Sequence, residues 1–206
     1  VLATRAEIGC PRTAKLVEAA ARTCALLGSA AIAAESTRRT ARIIAALGRY
    51  SREGRPTEAR RIAVKAELGE TLEAFKDKAR GDLEIDLDID GDLAVFGERE
   101  ALAQVWLGLV ANALQAMDFR GRLGILGRRD GRDVVVSVSD SGHGIPSELR
   151  DRVFEPFFTT KGLGEGTGLG LNLARKVVEA HGGSIAFESE PGRTVFSVRL
   201  PAAAED

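Results

Sequence analysis

Apolar residues at Leu83, Ile85, Leu87 and Ile89 alternate with polar ones, the period-two mark of a half-buried strand. A run of valines over Val134 to Val138, ending at Asp140, predicts another strand, and Ser184 to Glu188 and Thr194 to Leu200 predict two more. Shorter apolar runs near Arg61 to Val64 and over Leu93 to Phe96 read as minor strands. Between these the period lengthens to that of a helix over Ala66 to Ala79, Glu98 to Met117 and Leu171 to Ala180. Helices packed on one face of a mixed sheet give an α+β sandwich.

The front of the chain follows a different pattern. From about Arg5 to Leu27 it is alanine-rich, and Val17, Ala21 and Cys24 recur at helical spacing. Gly28-Ser29 breaks that helix, and Thr37, Ala41, Ile44 and Gly48 then form a small-residue stripe beside Ile43, Leu47 and Tyr50. Two helices so briefly joined run antiparallel. Neither has the bulk to bury its own face, so the hairpin is expected to pair with a second copy as a homodimeric four-helix bundle. Gly54-Arg-Pro-Thr57 reads as a linker, dividing a helical hairpin over 1–57 from an α/β sandwich over 58–206.

Composition narrows the class. Across 206 residues, 44% hydrophobic and 29% charged positions are ordinary for a globular chain and set disorder aside. The longest weakly polar stretch, Ala19 to Ala34, is interrupted by Arg22 and is too short to span a bilayer, so any membrane anchor is expected in segments outside this chain. The chain opens on Val1, which reads as a piece of something longer. Cys10 and Cys24 have neither metal-ligand nor disulfide-framework spacing, which points to a reducing, cytoplasmic setting. Net charge is -1, but residues 1–60 hold 11 Lys/Arg against 5 Asp/Glu, so a basic front meets an acidic body. Solvated arginines on a helix face explain the front as well as an acidic partner does. Its basic residues include no recognisable reading helix, which argues against direct nucleic-acid binding.

Three pieces carry candidate chemistry. Asp140-Ser-Gly-His-Gly-Ile-Pro146 follows the valine strand; an aspartate there can accept a hydrogen bond from an exocyclic amine, and Gly142 and Gly144 let a flat ring approach the backbone. Such turns are common and most bind nothing. In Gly162-Leu-Gly-Glu-Gly-Thr-Gly-Leu-Gly170, free N–H groups ahead of a helix suit phosphates, and the glycines suit a lid; a plain surface loop is the alternative. Asn112 sits among aliphatic residues of the helix ending at Met117, where its carboxamide needs a partner: either magnesium, which takes hard oxygen ligands and shares them with phosphates, or a neighbouring carbonyl.

Together with Phe154-Glu-Pro-Phe-Phe-Thr-Thr-Lys161, Glu179-Ala-His-Gly-Gly183 and Pro191-Gly-Arg-Thr-Val-Phe196, these pieces resemble the N, G1, F and G2 boxes of sensor histidine kinases over roughly Leu93 to Leu200. The resemblance implies an ATP-binding catalytic domain that uses Mg2+. It makes Asn112 the magnesium ligand and Asp140 the adenine reader, with Gly142, Gly144 and Ile145 in the adenine turn and Thr194 beneath the base. Gly166, Thr167, Gly168, Leu169 and Gly170 become the phosphate-contacting lid segment, with Lys161 reaching the phosphates or capping it. Phe154, Phe157 and Phe158 are read as lid and core packing, His181 as a structural helix end, and His143 receives no chemistry. Gly108 departs from the family, many members of which carry a second asparagine one turn before the first. The site also resembles that of gyrases, mismatch-repair clamps and heat-shock chaperones, but the preceding hairpin favours the kinases.

In those kinases a histidine in a His-Glu-x-x-x-Pro context accepts the γ-phosphoryl group, and a response-regulator receiver domain takes it next. Here the stretch is Arg5-Ala-Glu-Ile-Gly-Cys-Pro11, so Ala6 occupies the acceptor position beside Glu7. Both histidines of the chain lie in the second domain. No autophosphorylation on histidine is therefore expected. An engineered replacement, a natural kinase-like protein acting on another chain or only binding ATP, and an acceptor upstream of Val1 all fit Ala6. Cys10 falls where many relatives place the threonine or asparagine of phosphatase work, which puts that activity in doubt.

Overall fold

The computed structural model describes residues 58–76, 82–160 and 167–204. The elements are β1 (Arg60–Ala63), α1 (Val64–Glu73), β2 (Leu83–Ile89), β3 (Ala94–Gly97) and α2 (Arg99–Ala116). They continue with β4 (Gly121–Asp130), β5 (Asp133–Asp140), a 3-10 turn (Ser147–Arg152), α3 (Gly170–Ala180), β6 (Ser184–Glu190) and β7 (Arg193–Pro201). The main sheet has the order β2-β4-β5-β7-β6. β2 runs parallel to β4 and every other pairing is antiparallel, so the sheet is mixed, as expected of an α+β sandwich. β1 and β3 form a separate antiparallel ladder, tied back to the C-terminal end through the Val95–Ala202 bridge.

One buried face of α2 organises the core. Leu102, Val105, Trp106, Leu109, Val110, Ala113 and Leu114 recur every three or four residues, and all are buried. They meet Val134, Val136 and Val138 of β5, Leu123 and Ile125 of β4, and Val198 and Leu200 of β7 in a single cluster. Truncating one of the fully buried leucines, Leu109→Ala for example, costs about 3 kcal/mol in such surroundings.

Two expectations need correction. The helix expected over Ala66 to Ala79 begins earlier, at Val64, and ends at Glu73; the Ala74 and Phe75 N–H groups close its last turn on Glu70 and Leu72 while Phe75 packs on the core. β4 and the 3-10 turn have no counterpart among the expected elements. Glycines hid β4, and its neighbours explain them: a Cβ at Gly124 would lie 2.6 Å from the Ser139 hydroxyl, and one at Gly127 would lie 2.7 Å from Ile89. The expected hairpin over 1–57, with Ala6 and Glu7, lies outside the described residues. No described helix is long and apolar enough to cross a membrane.

Candidate nucleotide site

β5 ends on Asp140, whose side chain continues the inward row of Val134, Val136 and Val138 and is only 5% exposed. In register beside it on β7 stands Thr194, 3% exposed, and beside Thr194 on β6 stands Ser189. One polar rung thus crosses three strands on the core side of the sheet. The Gly142 N–H donates to Asp140 Oδ1 at 2.9 Å. Burial pushes the Asp140 carboxyl above its ordinary value, while that N–H bond and nearby His143 pull it partway back. A carboxylate kept inside at this cost needs a use for its remaining lone pairs.

The turn after Asp140 is held against two other elements. A Cβ on Gly142 would lie 2.6 Å from the Ala116 carbonyl oxygen, and one on Gly144, at φ +79, would lie 2.5 Å from that of Glu190. Gly192 N–H donates to the Gly142 carbonyl at 3.1 Å, and Ile145 N–H donates to Ser189 Oγ at 2.7 Å. Arg150 of the 3-10 turn donates to the carbonyls of Ile145 and Ser189. His143 Nδ1 lies 2.7 Å from the Gly144 carbonyl.

The other end of the site is the start of α3. Its N-cap, Leu169, supplies no side-chain hydrogen bond to the first turn, so the N–H groups there are left for water or an anion. Gly168 adopts φ +65, and a Cβ on it would lie 2.3 Å from the Phe157 carbonyl carbon, so this glycine lies against the backbone of the Phe157 segment. Thr167 Oγ1 accepts from the Leu169 N–H at 3.4 Å. Lys161 and Gly166 lie outside the described residues.

α2 joins the two ends. A Cβ on Gly108 would face the Gly170 carbonyl at 3.9 Å, while Ala116, two turns on, backs the Asp140 turn. Asn112 lies between them on the same i, i+4 row. It is half-buried, and its carboxamide makes no hydrogen bond among the described residues, so the neighbouring carbonyl that competed with a ligand is not there. No described cluster of three His, Cys, Asp or Glu side chains could hold a metal. A cation at Asn112 would therefore share its ligands with phosphate oxygens and water. The residues fit an adenine nucleotide: a buried acceptor, two clefts that a Cβ would fill, and an uncapped helix start, spanned by one helix row.

Some neighbours escaped the sequence. Ser189 joins the rung and the turn; its only signal was a polar residue on the inward half of the Ile185, Phe187, Ser189 alternation. In the first turn of α3, Asn172 Nδ2 donates to the Phe154 carbonyl at 2.9 Å while its Oδ1 is buried with no partner among the described residues. Phe154 packs edge-on against Phe187 and Phe196, and Phe158 lies under Arg152, but Phe157 is 61% exposed and does not pack as expected. The helix-end role of His181 holds: Nδ1 donates to the Val177 carbonyl at 2.7 Å and Nε2 accepts the Glu98 N–H at 3.1 Å, so it ties the end of α3 to the start of α2. A Cβ at Gly97 would lie 2.4 Å from that ring.

A family model described as histidine kinase-, DNA gyrase B- and HSP90-like ATPase matches residues 97–204, just over half of the chain. The chain belongs to this family. Among curated relatives, the sensory histidine kinase/phosphatase NtrB of Azospirillum brasilense is 43% identical over 122 residues, 52% of this chain and 30% of that protein. The sensor histidine kinase ZraS of Escherichia coli K12 is 43% identical over 108 residues, 52% of this chain and 23% of that protein. The chain thus spans less than a third of the length of these relatives. The catalytic domain of histidine kinase ThkA, in a nucleotide-free form, superposes with TM-score 0.65 at 36% identity, covering 70% of this chain and 96% of that one. A structure of ThkA in complex with the response regulator protein TrrA superposes with TM-score 0.67 at 30% identity, covering 81% of this chain and 49% of that one. The matched region is an ATP-binding catalytic domain of the histidine kinase type.

Proposed function

We propose that this chain is the ATP-binding catalytic core of a two-component sensor histidine kinase, built to pass the ATP γ-phosphoryl group to a histidine and then to a response-regulator aspartate. The observation that carries this reading is the α2 row, which sets unpartnered Asn112 between the uncapped start of α3 and the turn after buried Asp140. Asp140 accepts from the adenine amine, Gly142, Gly144 and Ile145 form the turn the ring lies against, and Thr194 stands beneath the base. Gly166, Thr167, Gly168, Leu169 and Gly170 offer backbone donors to the phosphates, with Lys161 nearby. Asn112 would hold Mg2+. When bound, Mg-ATP supplies the phosphoryl group together with the cation that neutralises its oxygens. The chain's own contribution is positioning, and positioning does not depend on which chain carries the acceptor.

Residues 1–57 are read as the dimerising hairpin and 58–206 as the catalytic domain, with a receiver domain as partner and the cytoplasm as the setting. Because Ala6 stands at the acceptor position, this chain does not phosphorylate itself on histidine. A second reading follows from the same residue: an ATP-binding pseudokinase or regulatory module, or a kinase acting on a histidine in another chain. The test is Ala6→His incubated with γ-labelled ATP. Acid-labile, base-stable label on residue 6 is expected, and its absence overturns the kinase assignment. Asn112→Ala and Asp140→Ala should each abolish binding of a fluorescent ATP analogue; retained affinity in both refutes the site.

A further inference from the structure

We propose that Ser189, without touching the nucleotide, fixes the direction of the Thr194 hydroxyl proton and thereby makes the Asp140–Thr194 pair selective for adenine. This rests on the reading of Asp140 as the base acceptor.

The geometry is a three-way junction. Ser189 Oγ accepts the Ile145 N–H at 2.7 Å and lies 2.9 Å from Thr194 Oγ1. Neither hydroxyl has another side-chain partner among the described residues. Two hydroxyl protons are present, and one fills the gap between the oxygens. Which residue supplies it decides what Thr194 offers a ligand. An oxygen that already accepts a hydrogen bond is the better donor, because accepting polarises its own O–H. Ser189 is that oxygen. It donates to Thr194, and the Thr194 proton is left over.

Thr194 is the direct register partner of Asp140, so the two side chains stand next to each other on the same face of the sheet, and the leftover proton is the donor on that face. An acceptor next to a donor is the complement of the adenine edge, where the exocyclic amine donates and ring N1 accepts. Hypoxanthine and guanine present the reverse, a carbonyl beside N1–H. If Thr194 instead spent its proton on Ser189, the pair would be two acceptors and would read only the amine. Arg150, which bridges the Ile145 and Ser189 carbonyls, holds the junction in place from the exposed side.

The probes are ATP and 1-deaza-ATP, which keeps the amine and replaces N1 by C–H. They are titrated against the full chain, against Ser189→Ala and against the nearly isosteric Ser189→Cys, with far-ultraviolet circular dichroism as the folding control. In the unaltered chain the deaza analogue should bind about tenfold more weakly, the value of one hydrogen bond. In either Ser189 variant the Thr194 proton can still reach N1 but is no longer held toward it, so that ratio should shrink to about threefold, while Ser189→Thr, which keeps a hydroxyl, restores it. Equal affinity for the two nucleotides in the unaltered chain overturns the proposal. So does an undiminished deaza penalty in a folded variant, because a merely structural Ser189 would weaken both nucleotides alike. The underlying reading fails separately, if Asp140→Ala still binds ATP.

Discussion

The two ends of the proposed site are built on opposite plans. At the base end, Asp140, Thr194 and Ser189 lie on adjacent strands, and the turn that follows is bonded to β6 and to the β6–β7 turn. At the phosphate end, α3 starts without a side-chain cap, and beyond its chain neighbours and its own helix backbone no described heavy atom lies within 4 Å of where a Gly170 Cβ would be. The base end satisfies its other polar groups internally and keeps one acceptor and one donor for the ligand; the phosphate end keeps a turn of donors in reserve. A planar base with a fixed edge rewards a preformed slot, whereas charged phosphates satisfy whichever N–H groups are free.

Three substitutions sharpen that contrast. The largest effect is expected from Gly142→Ala, whose Cβ would meet the Ala116 carbonyl at 2.6 Å and Asp140 Oδ1 at 2.8 Å. The Ala116 carbonyl is backbone and cannot swing aside, so the fold should lose about 2 to 3 kcal/mol, read by thermal denaturation, and nucleotide binding should go with it. Full stability with full binding would show that the base end is not the rigid slot described.

Asp140→Asn should separate fold from binding. Burial raises the native carboxyl, so the native state holds its proton to higher pH than the unfolded chain does, and stability falls as pH rises from the ordinary carboxylate range through the raised value. The loss persists at neutral pH. Asparagine removes it while keeping an oxygen for the Gly142 N–H, so the variant should melt above the unaltered chain at pH 7, with the gap closing in acid. ATP affinity should nevertheless fall. In the unaltered chain ATP binding should weaken, as acid is approached, at a higher pH than an ordinary carboxylate would give.

The smallest effect belongs to the phosphate end. Gly170→Ala meets no described atom and needs no unusual backbone angle, so the first turn of α3 should gain about 0.5 kcal/mol from the better helix former. ATP titrated against the same variant should bind several-fold more weakly, because the added methyl would meet a phosphate held at the start of α3. A loss of stability here would mean that the phosphate end is as tightly packed as the base end.

Much of this was legible along the chain. The alternation over β2 and the valine run of β5 are local periodicities, and α2 matched its expected span within a residue at each end. Asp140 could be found because a carboxylate closing an apolar strand followed by Gly-x-Gly is chemically out of place. β4 could not, because Gly124 and Gly127 look like turn formers until Ser139 and Ile89 are seen to need their space. Asn112 stands out in the sequence as a polar residue in an apolar helix, but its place between Gly170 and the Asp140 turn does not.

By itself, then, the sequence determined the α+β class, most of the elements and which residues are candidates to hold a nucleotide. These follow from side-chain period and chemistry, which act over one turn or one pleat. Tertiary structure alone decided that Ser189 would join Ile145 and Thr194, that His181 would take the N–H of Glu98 from 83 residues away, and that one row of α2 would touch both ends of the site. Such pairings depend on strand register and helix rotation, which are set by the packing of the whole core.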